Sequence, residues 1–483
     1  MEKSNSLKKN IIYNLVYTST NILFPMITFP YLSRTLGPEG YGIINFSLSI
    51  IGYFIVFSQF GIYIYGTRQI SKKKNKGKQG LKSVFSNLFI TNIFLSFCSF
   101  LLLFIYIYFD SSISDYKLIL YILGMQVLFQ FLKVDWFFKG MEEFDKITKI
   151  SIATRTINLI LIFIFINNKT DYLNYAVIIL FIFFLNNMIM IYYIFKDNLF
   201  NLEVNIDKVM FNLKSMTFIA FMVITTKIYI SIDSVMIGYI LGPTQVGLYS
   251  VAMKFNKLVL SIISSISLVI FPKISSLLES NEKNKINKIL NKSLHGILLI
   301  AIPSSFGLFI LTEDLILVFS GIDYIDSLLT MRIMSFLIII ITVSTIILNQ
   351  IIYPRGLEKK TIKMRWIGLV TNVILNFLLI NKLGIVGAGI ASVITEFIVM
   401  IQLFFFSRSV ADFAVNMSSI FKYIVSSLVM IIIINLLNNI FELSHILNII
   451  TFIPLGAFIY FILLYLLKDE FLFELTINIK ERI

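Results

Sequence analysis

The sequence has little charge and almost no cysteine or histidine, and each shortage excludes a class of protein. Only 14% of its 483 residues are Asp, Glu, Lys or Arg, whereas such residues make up about a quarter of a soluble domain. One cysteine, Cys98, excludes an intrachain disulfide, and with only two histidines it argues against a Cys/His metal site. The chain has no Gly-Lys-Ser/Thr phosphate loop, which argues against ATP hydrolysis by this chain. We therefore expect neither a metal nor a cofactor.

Apolar residues are what the chain has in excess. They make up 57% of the residues, and the mean hydropathy is +0.86. They occur in runs long enough to cross a hydrocarbon core of about 30 Å at about 1.5 Å per helical residue. We predict an all-α polytopic membrane protein with about fourteen transmembrane helices. The predicted spans are 11–33, 41–64, 84–109, 118–138, 150–167, 172–195, 216–241, 247–271, 294–311, 328–353, 362–380, 385–406, 420–440 and 446–467.

Lysine and arginine are concentrated in alternate connections between these spans. The connection after span 2, for example, carries a lysine cluster at 72–78, and the N-terminus is also basic. The opposite connections hold only Arg34, Lys117, Lys169, Arg332 and Lys382. By the positive-inside rule we predict that the 72–78 loop and both termini are cytoplasmic. The net charge of +14 is then a signal of topology, and we expect no nucleic-acid partner.

Two motifs occur twice in the chain. "LGPEGYG" begins at Leu36 and "LGPTQVG" at Leu241, while "KGMEEF" begins at Lys139 and "RGLEKK" at Arg355. In the first pair, Gly and Pro interrupt the helix and permit a tight reversal. We predict that spans 1–6 and 7–12 are two parallel copies of one six-helix unit, with substrate bound between them. The predicted domains are an N-terminal lobe, 1–200, a C-terminal lobe, 201–410, and an extra two-helix segment with a cytoplasmic tail, 411–483.

Four stretches carry a family resemblance: "YLSRTLGPEGYG", "DWFFKGMEEFDKIT", "ISIDSVMIGYILGPTQVGLYSVAMK" and "NKLGIVGAGIASVITE". Over spans 1 to 12 the chain resembles the polysaccharide-unit (O-antigen, Wzx-type) flippases of the multidrug/oligosaccharidyl-lipid/polysaccharide exporter superfamily. The resemblance implies that an undecaprenyl-diphosphate-linked oligosaccharide crosses the bacterial cytoplasmic membrane by alternating access. It also implies membrane lipids, a coupling ion (H⁺ or Na⁺) and the polysaccharide polymerase and chain-length machinery as partners. Spans 13 and 14 depart from the commonest twelve-span pattern and are similar to the extra pair of lipid II flippases, which is associated with holding the lipid tail.

Charged residues inside the predicted spans are candidate functional residues, because a charge at the membrane centre costs at least about 2.5–3.5 kcal/mol. Span 7 holds Lys227 and Asp233, and span 8 holds Lys254 and Lys257. Asp233 and Lys254 are equally far from the turn between these spans, so we predict that they face each other. They form a structural ion pair, or Asp233 is an ion-coupling group. No carboxylate of these two spans has the predicted depth of Lys227 or Lys257, so we expect these lysines to bind the diphosphate in a basic inter-lobe cavity.

Other polar residues in the spans leave two interpretations open. Arg34, near the outer end of span 1, snorkels to the interface or lines an anion path. Asn14, Thr18 and Asn21 lie at steps of four and three, on one face of span 1. We predict that this face is a cavity wall, and interhelical hydrogen bonding is the alternative. Glu396 in span 12 is a candidate for ion coupling or for a structural ion pair.

Two other functions compete with the flippase prediction. A multidrug cation exporter of the same superfamily would need acidic cavity residues, whereas spans 7 and 8 hold three lysines and one aspartate. A membrane polysaccharide polymerase or ligase would need a large external loop, and the predicted external loops are short. Neither His295 nor His445 has a nearby carboxylate suited to acid–base work, and we interpret Arg155 as a positive-inside anchor of span 5. We therefore predict that the chain is not an enzyme.

Overall fold

The computed structural model describes residues 2–74, 77–199, 206–280, 282–411, 413 and 416–473. Over these residues every regular element is a helix, which confirms the predicted all-α class. Eleven of the described helices are long and apolar enough to cross a membrane, or twelve if one bent pair counts as a single span. The chain is therefore a multi-pass membrane protein. Positions 75–76 of the predicted cytoplasmic loop and the C-terminal residues 474–483 lie outside the described residues.

The chain divides into two compact units, Met1–Gly247 and Leu248–Ile483. The helices of the first unit are α1 Glu2–Gln59, α2 Ile62–Lys73, α3 Gly77–Phe109, α4 Lys117–Leu128, α5 Asp135–Met141, α6 Phe144–Phe165, α7 Tyr172–Lys196 and α8 Ile206–Leu241. The long helix α1 is central to this unit, since it packs on α3, α6 and α8. Several candidate residues of this unit lie on α1 or on helices that pack against it.

The second unit contains most of α9 and the seven helices after it. These helices are α9 Pro243–Glu279, α10 Lys283–Ile310, α11 Thr312–Phe319, α12 Leu328–Met334, α13 Leu337–Ile346, α14 Thr361–Arg408, α15 Met417–Phe441 and α16 His445–Leu466. Within the unit, α10 packs on α13 and α15, and α16 packs on α15 and α11. The predicted lobe boundaries at residues 200 and 410 follow the sequence repeat rather than compactness, so they stay a prediction.

Two of the helical segments are interrupted by a glycine with a non-helical backbone. Gly37 in α1 has φ 67° and ψ 177°, and Gly384 in α14 has φ 61° and ψ −141°. This part of backbone space is essentially restricted to glycine. With 58 and 48 residues, α1 and α14 would be about 87 and 72 Å long if straight, more than twice a hydrocarbon core of about 30 Å. If the bent pair counts as one span, there are twelve, and two crossings in each of these two segments would give the predicted fourteen, which stays a prediction.

The repeated Leu-Gly-Pro motif forms the same turn twice. Gly37 and Gly242 both have a positive φ, at 67° and 91°. Pro38 follows the first glycine, and Pro243 is the first residue of α9. Proline suits this place because the first turn of a helix does not use its N–H groups. The local sequence thus ends one helix and starts the next.

The two turns also contact each other, within the first unit and in a reciprocal way. A Cβ atom added to Gly42 would meet the carbonyl oxygen of Pro243 and lie 2.9 Å from the nitrogen of Gly247. A Cβ atom added to Gly247 would meet the carbonyl oxygen of Pro38 and lie 3.2 Å from the nitrogen of Gly42. Such an exchange of roles is typical of a two-fold symmetric contact. It explains why glycine follows proline by four positions in both copies of the motif.

Two predicted spans are less regular than the sequence indicated. Span 4 consists of the segments Ser111–Leu128 and Gln130–Met141, which meet at a bend of 43°. Within the second segment Lys133 has an extended backbone, with φ −78° and ψ 90°. Span 2 ends early, because Phe60 and Gly61 have positive φ values of 41° and 80° and separate α1 from α2. Neither break contains proline, although Gly61 lies at the second one, and the sequence pattern had predicted continuous spans at both places.

Candidate substrate-binding site

Arg155 of α6 is directed towards α1. Its guanidinium donates hydrogen bonds to the side-chain oxygens of Thr20, at 3.4 Å, and of Asn21. Its Cζ atom lies 5.6 Å from the centre of the Tyr17 ring. Of the described carboxylates, none forms an ion pair with it. The charge of Arg155 is thus directed at a polar face of α1, and its interpretation as a positive-inside anchor of span 5 stays a prediction.

Lys139 of α5 brings a second cation to the same aromatic ring. Its Nζ atom lies 5.6 Å from the centre of the Tyr17 ring and 4.5 Å from the centre of the Tyr63 ring. It also donates a hydrogen bond to the Tyr63 hydroxyl. Asp135, one helical turn earlier, lies 4.0 Å from Nζ, at the limit of an ion pair. The sequence pattern had placed Lys139 only in a repeated motif and had not predicted this contact.

We call Tyr17, Lys139 and Arg155, together with Thr20 and Asn21, the Tyr17 cation cluster. Two positive charges lie beside one ring, whose face attracts cations. Both cations are half-buried, so water screens them less than it screens cations at a free surface. Two unit charges about 4 Å apart interact by about 4 kcal/mol at an effective dielectric constant of about 20, against about 1 kcal/mol in water. The cluster is therefore suited to attract an anionic group to the polar face of α1.

The predicted polar face of α1 is only partly described. Asn21 is exposed and accepts the hydrogen bond from Arg155, and Thr18 is also exposed. Asn14 lies on α1, but its side chain is outside the described part of the structure. Arg34 is exposed at the end of the first half of α1. The structure thus joins one of the predicted residues, Asn21, to a cation, and it leaves the roles of the other three as predictions.

Lys227 and Asp233 lie on α8 in the first unit. The side chain of Lys227 packs against α1, since a Cβ atom added to Gly52 would lie 2.6 Å from its Nζ atom. Asp233 is buried, with 7% of its surface exposed. Gly52 therefore leaves the space that the lysine side chain fills. The predicted contact of Lys227 with substrate and the predicted role of Asp233 in ion coupling stay predictions.

The other candidate residues belong to the second unit. On α9, Lys254 is half-buried and Lys257 is exposed, and Glu396 on α14 is half-buried. Asp233 and Lys254 belong to different compact units, and their predicted pairing stays a prediction. The predicted roles of Lys257 and Glu396 likewise stay predictions.

Both histidines lie near carboxylates, contrary to what the sequence suggested. The Nδ1 atom of His445 is 2.7 Å from Oδ1 of Asp314, which also accepts a hydrogen bond from Asn448 at 3.0 Å. His295 lies in the electrostatic field of Asp469. Asp314 is 131 positions from His445, so only the folded chain reveals the pair. Over the described ranges no three His, Cys, Asp or Glu side chains are grouped closely enough to hold a metal ion.

Comparison with known proteins gives two family matches. A family model described as "Polysaccharide biosynthesis protein" matches residues 7–278, which is more than half of the chain. A second model, "MatE", matches residues 219–378. A relative from Escherichia coli (strain K12), named "Putative O-antigen transporter", is 27% identical over 411 residues, which cover 84% of this chain and 97% of the relative.

The fold is similar to those of two solved transporters. With "Lipid II flippase MurJ, inward closed conformation" the TM-score is 0.72 at 18% identity, over 94% of this chain and 98% of that chain. With "Inward-facing conformation of a multidrug resistance MATE family transporter of the MOP superfamily" it is 0.64 at 14% identity, over 82% and 97% of the two chains. At these identities the likeness concerns the fold alone.

Proposed function

The chain belongs to the polysaccharide biosynthesis protein family, and from this premise we propose that it is a transporter, not an enzyme, that flips a lipid-linked glycan. The E. coli relative, which it covers almost completely, is named as an O-antigen transporter. Membership of the family also confirms the resemblance that the four sequence stretches indicated. The finer part of the proposal is that the cargo is an undecaprenyl-diphosphate-linked oligosaccharide repeat unit.

The Tyr17 cation cluster is the observation that carries this finer proposal. Arg155 is half-buried and forms no ion pair with a described carboxylate, and the Nζ atom of Lys139 lies 5.6 Å from the centre of the same Tyr17 ring. A diphosphate would supply the negative charge that these two cations attract. Arginine is well suited to this task, because its planar group can donate two parallel hydrogen bonds to phosphate oxygens. The amide of Asn21 and the hydroxyl of Thr20 would keep the guanidinium in place.

The residues predicted from the sequence extend this proposal to the rest of the transport path. The proposed substrate contacts beyond the cluster are Arg34, Lys227, Lys254 and Lys257, with Asn14 and Thr18 along the wall of α1. Asp233 and Glu396 are the proposed ion-coupling or ion-pairing residues, with H⁺ or Na⁺ as the coupling ion. We further propose that both termini are cytoplasmic in a bacterial inner membrane. Membrane lipids and the polysaccharide polymerase and chain-length machinery are the proposed partners.

The nearest rival is a multidrug cation exporter, which the "MatE" match and the second fold likeness keep in view. A cationic drug would be repelled by Arg155 and Lys139, whereas an anionic headgroup would be attracted. The third possibility, a membrane polymerase or ligase, has no support from the family or from the named relative. The cluster therefore favours the glycan flippase.

The test is the removal and the conservative replacement of Arg155. We expect Arg155→Ala to lower glycan export by about 10- to 100-fold, the effect of losing a charged hydrogen bond of about 1.5–3 kcal/mol. The lipid-linked unit should accumulate in the inner leaflet. Arg155→Lys keeps the charge without the two-pronged geometry and should retain part of the activity. Export is measured as leaflet-resolved lipid-linked glycan, at matched protein levels in the membrane.

Lys146→Ala is the matched control on the same helix. Lys146 already forms ion pairs with Glu143 at 2.9 Å and with Asp197 at 3.7 Å, so we expect its loss to leave export unchanged. Normal export by Arg155→Ala, or a loss that Lys146→Ala reproduces, would contradict the proposal. Unchanged glycan export together with new sensitivity to cationic drugs would favour the multidrug exporter instead.

A further inference from the structure

The chain does not leave the second unit where α16 ends. The backbone N–H of Asp469 donates to the carbonyl oxygen of Leu464 at 3.1 Å, and its Oδ1 atom accepts from the N–H of Leu472 at 3.0 Å. This carboxylate therefore caps one further turn, as aspartate does at helix starts. We call residues Asp469 to Phe473 the docking segment. Its first residue has no exposed surface, which shows that the segment is part of the packed unit.

The docking segment contacts both α10 and α15. Phe471 lies against α10, since a Cβ atom added to Gly296 would be 3.2 Å from its Cζ atom, and its ring centre is 6.3 Å from that of His295. On α15, Tyr423 donates to Oδ1 of Asp469 at 3.5 Å. Lys422, next to it, donates to the carbonyl oxygen of Lys468 at 3.0 Å. The segment thus bridges two helices that pack on each other.

Two buried polar atoms in this contact lack partners and complement each other. His295 is 7% exposed and Asp469 is 0% exposed. Among the described residues, neither Nδ1 of His295 nor Oδ2 of Asp469 has a hydrogen-bond partner. The Nε2 atom of His295 accepts a hydrogen bond from the backbone N–H of Asn416 at 3.3 Å. Nε2 therefore carries no proton, and the neutral ring has its proton on Nδ1.

This tautomer of His295 determines which ligand can bridge His295 and Asp469. A protonated Nδ1 is a donor and cannot bind a cation, whereas Oδ2 of Asp469 is an acceptor. A water molecule can accept from the first and donate to the second. Buried polar groups are normally satisfied in this way, and a buried charge without hydrogen bonds is costly.

We propose that the docking segment locks the α15–α16 pair to α10, and that one internal water bridging His295 and Asp469 completes the lock. The site takes water rather than a metal ion. The pair α15–α16 and α10 then move as one body during the transport cycle. Tyr460 adds a second tie, because its hydroxyl donates to the carbonyl oxygen of Leu299 on α10 at 3.0 Å.

Two truncations test the docking segment in the full-length transporter. A chain that ends after Phe473 keeps the segment, and we expect its melting temperature and its protease resistance to match those of the unmodified protein. A chain that ends after Lys468 loses the segment, and we expect a lower melting temperature and faster cleavage between α15 and α16. Equal behaviour of the two truncations would overturn the lock, whether or not glycan export changes.

A double-mutant cycle tests the bridge. His295→Phe and Asp469→Leu each strand one buried partner, so we expect the double variant to lose less melting temperature than the sum of the two single losses. The directly bonded and more exposed pair of His445 and Asp314 is the control cycle. An experimental map that shows ordered waters should place one within hydrogen-bond distance of both Nδ1 and Oδ2. Additive losses in the cycle, or a map without that water, would overturn the bridge.

Discussion

Gly37 and Gly242 make the same chain reversal in the two Leu-Gly-Pro turns, with φ values of 67° and 91°, but their surroundings differ. A Cβ atom added to Gly37 would lie 3.6 Å from the side chain of Lys169. Around Gly242 no atom of the described chain lies within 4 Å of such an added Cβ. The first turn is covered and the second is open.

The cover of the first turn is the short connection between α6 and α7. The backbone oxygen of Lys169 would lie 2.9 Å from a Cβ atom added to Gly40, and the Tyr31 hydroxyl donates to the carbonyl oxygen of Ile166 at 2.6 Å. The second turn has no such cover, although Tyr239, three residues before Gly242, donates to Asp110 at 2.7 Å. The two copies of the motif therefore share a positive φ at the glycine and a mutual contact, while the residues around each copy differ. Substitutions at the contact between the turns should destabilise both turns equally. Substitutions in the cover should destabilise the first turn only.

The largest loss of stability is expected where the two turns touch, at Gly42 and Gly247. In Gly42→Ala and Gly247→Ala the new methyl group would meet a backbone carbonyl oxygen of the other turn, which no change of rotamer can relieve. We expect each variant to lose about 3 kcal/mol of unfolding free energy, the upper end of the range for overpacking. Because the contact is reciprocal, the two losses should be equal within about 0.5 kcal/mol, and the double variant should lose less than their sum. Thermal unfolding of the purified protein measures the ranking.

Gly307→Ala is the control for these variants. Gly307 lies inside α10, and no described atom would come within 4 Å of an added Cβ. Alanine is favoured over glycine inside a helix by up to about 1 kcal/mol, so this variant should be neutral or more stable. A loss at Gly307 as large as at Gly42 would show that any added methyl group is harmful. Unequal losses at Gly42 and Gly247 would break the reciprocity.

An intermediate effect is expected at the two turn glycines. Gly37→Ala and Gly242→Ala each force an L-residue into a positive φ, at a cost of about 1–2 kcal/mol. The measurement that separates the turns is Lys169→Ala in each background. Lys169→Ala should change the melting temperature of Gly37→Ala, because the new methyl group touches that side chain. It should not change the melting temperature of Gly242→Ala. The same response in both backgrounds would mean that Lys169 does not cover the first turn specifically.

The turns were predictable from the sequence because their determinants are local. Gly followed by Pro at the end of an apolar run predicts both the reversal of the chain and the start of the next helix. The repeat of the motif indicated two related copies. The breaks near Phe60 and Lys133 contain no Gly-Pro pair, and the single Gly61 at the first break was too weak a signal to end the predicted span there. The sequence could not show that the two turns touch, because their contact joins residues about two hundred positions apart.

The candidate site was predictable only in its residue types. A polar face on α1 follows from the spacing of Asn14, Thr18 and Asn21, but the partner of that face is Arg155, which lies 134 positions from Asn21. Lys139 was visible as part of a motif and not as a neighbour of Tyr17. The same limit applies to Asp314 and His445. Long-range pairs of this kind are fixed by helix packing, which one sequence does not reveal.

The smallest effect is expected from acidification, which should loosen the two turns in different ways. The N–H groups of Asn167 and Asn168 donate to Asp171 at 2.9 and 2.8 Å, and these hydrogen bonds lower its pKa. Partial burial raises the pKa of Asp110, but hydrogen bonds from the Tyr239 hydroxyl and the Ser112 N–H outweigh it and leave the pKa lowered. A lowered carboxyl pKa stabilises the folded state above the ordinary aspartate value of about 4, and this stability is lost as the pH falls through the folded value.

Asp171→Asn isolates the first turn, because it keeps an acceptor for the two N–H groups and removes the titration. Part of the acid-induced fall in melting temperature should disappear in this variant, whereas Asp115→Asn, a control in the connection between α3 and α4, should leave this fall unchanged. Tyr239→Phe should reduce the part of the fall that arises at the second turn, since Asp110 then loses its phenol donor. If Asp171 holds the connection over Gly37, acid should also increase the protease sensitivity of residues 166–171 in the unmodified protein but not in Asp171→Asn. An unchanged acid response in Asp171→Asn would mean that this carboxylate does not maintain the cover, and the difference between the turns would then rest on Lys169 and on the hydrogen bond from Tyr31 to Ile166.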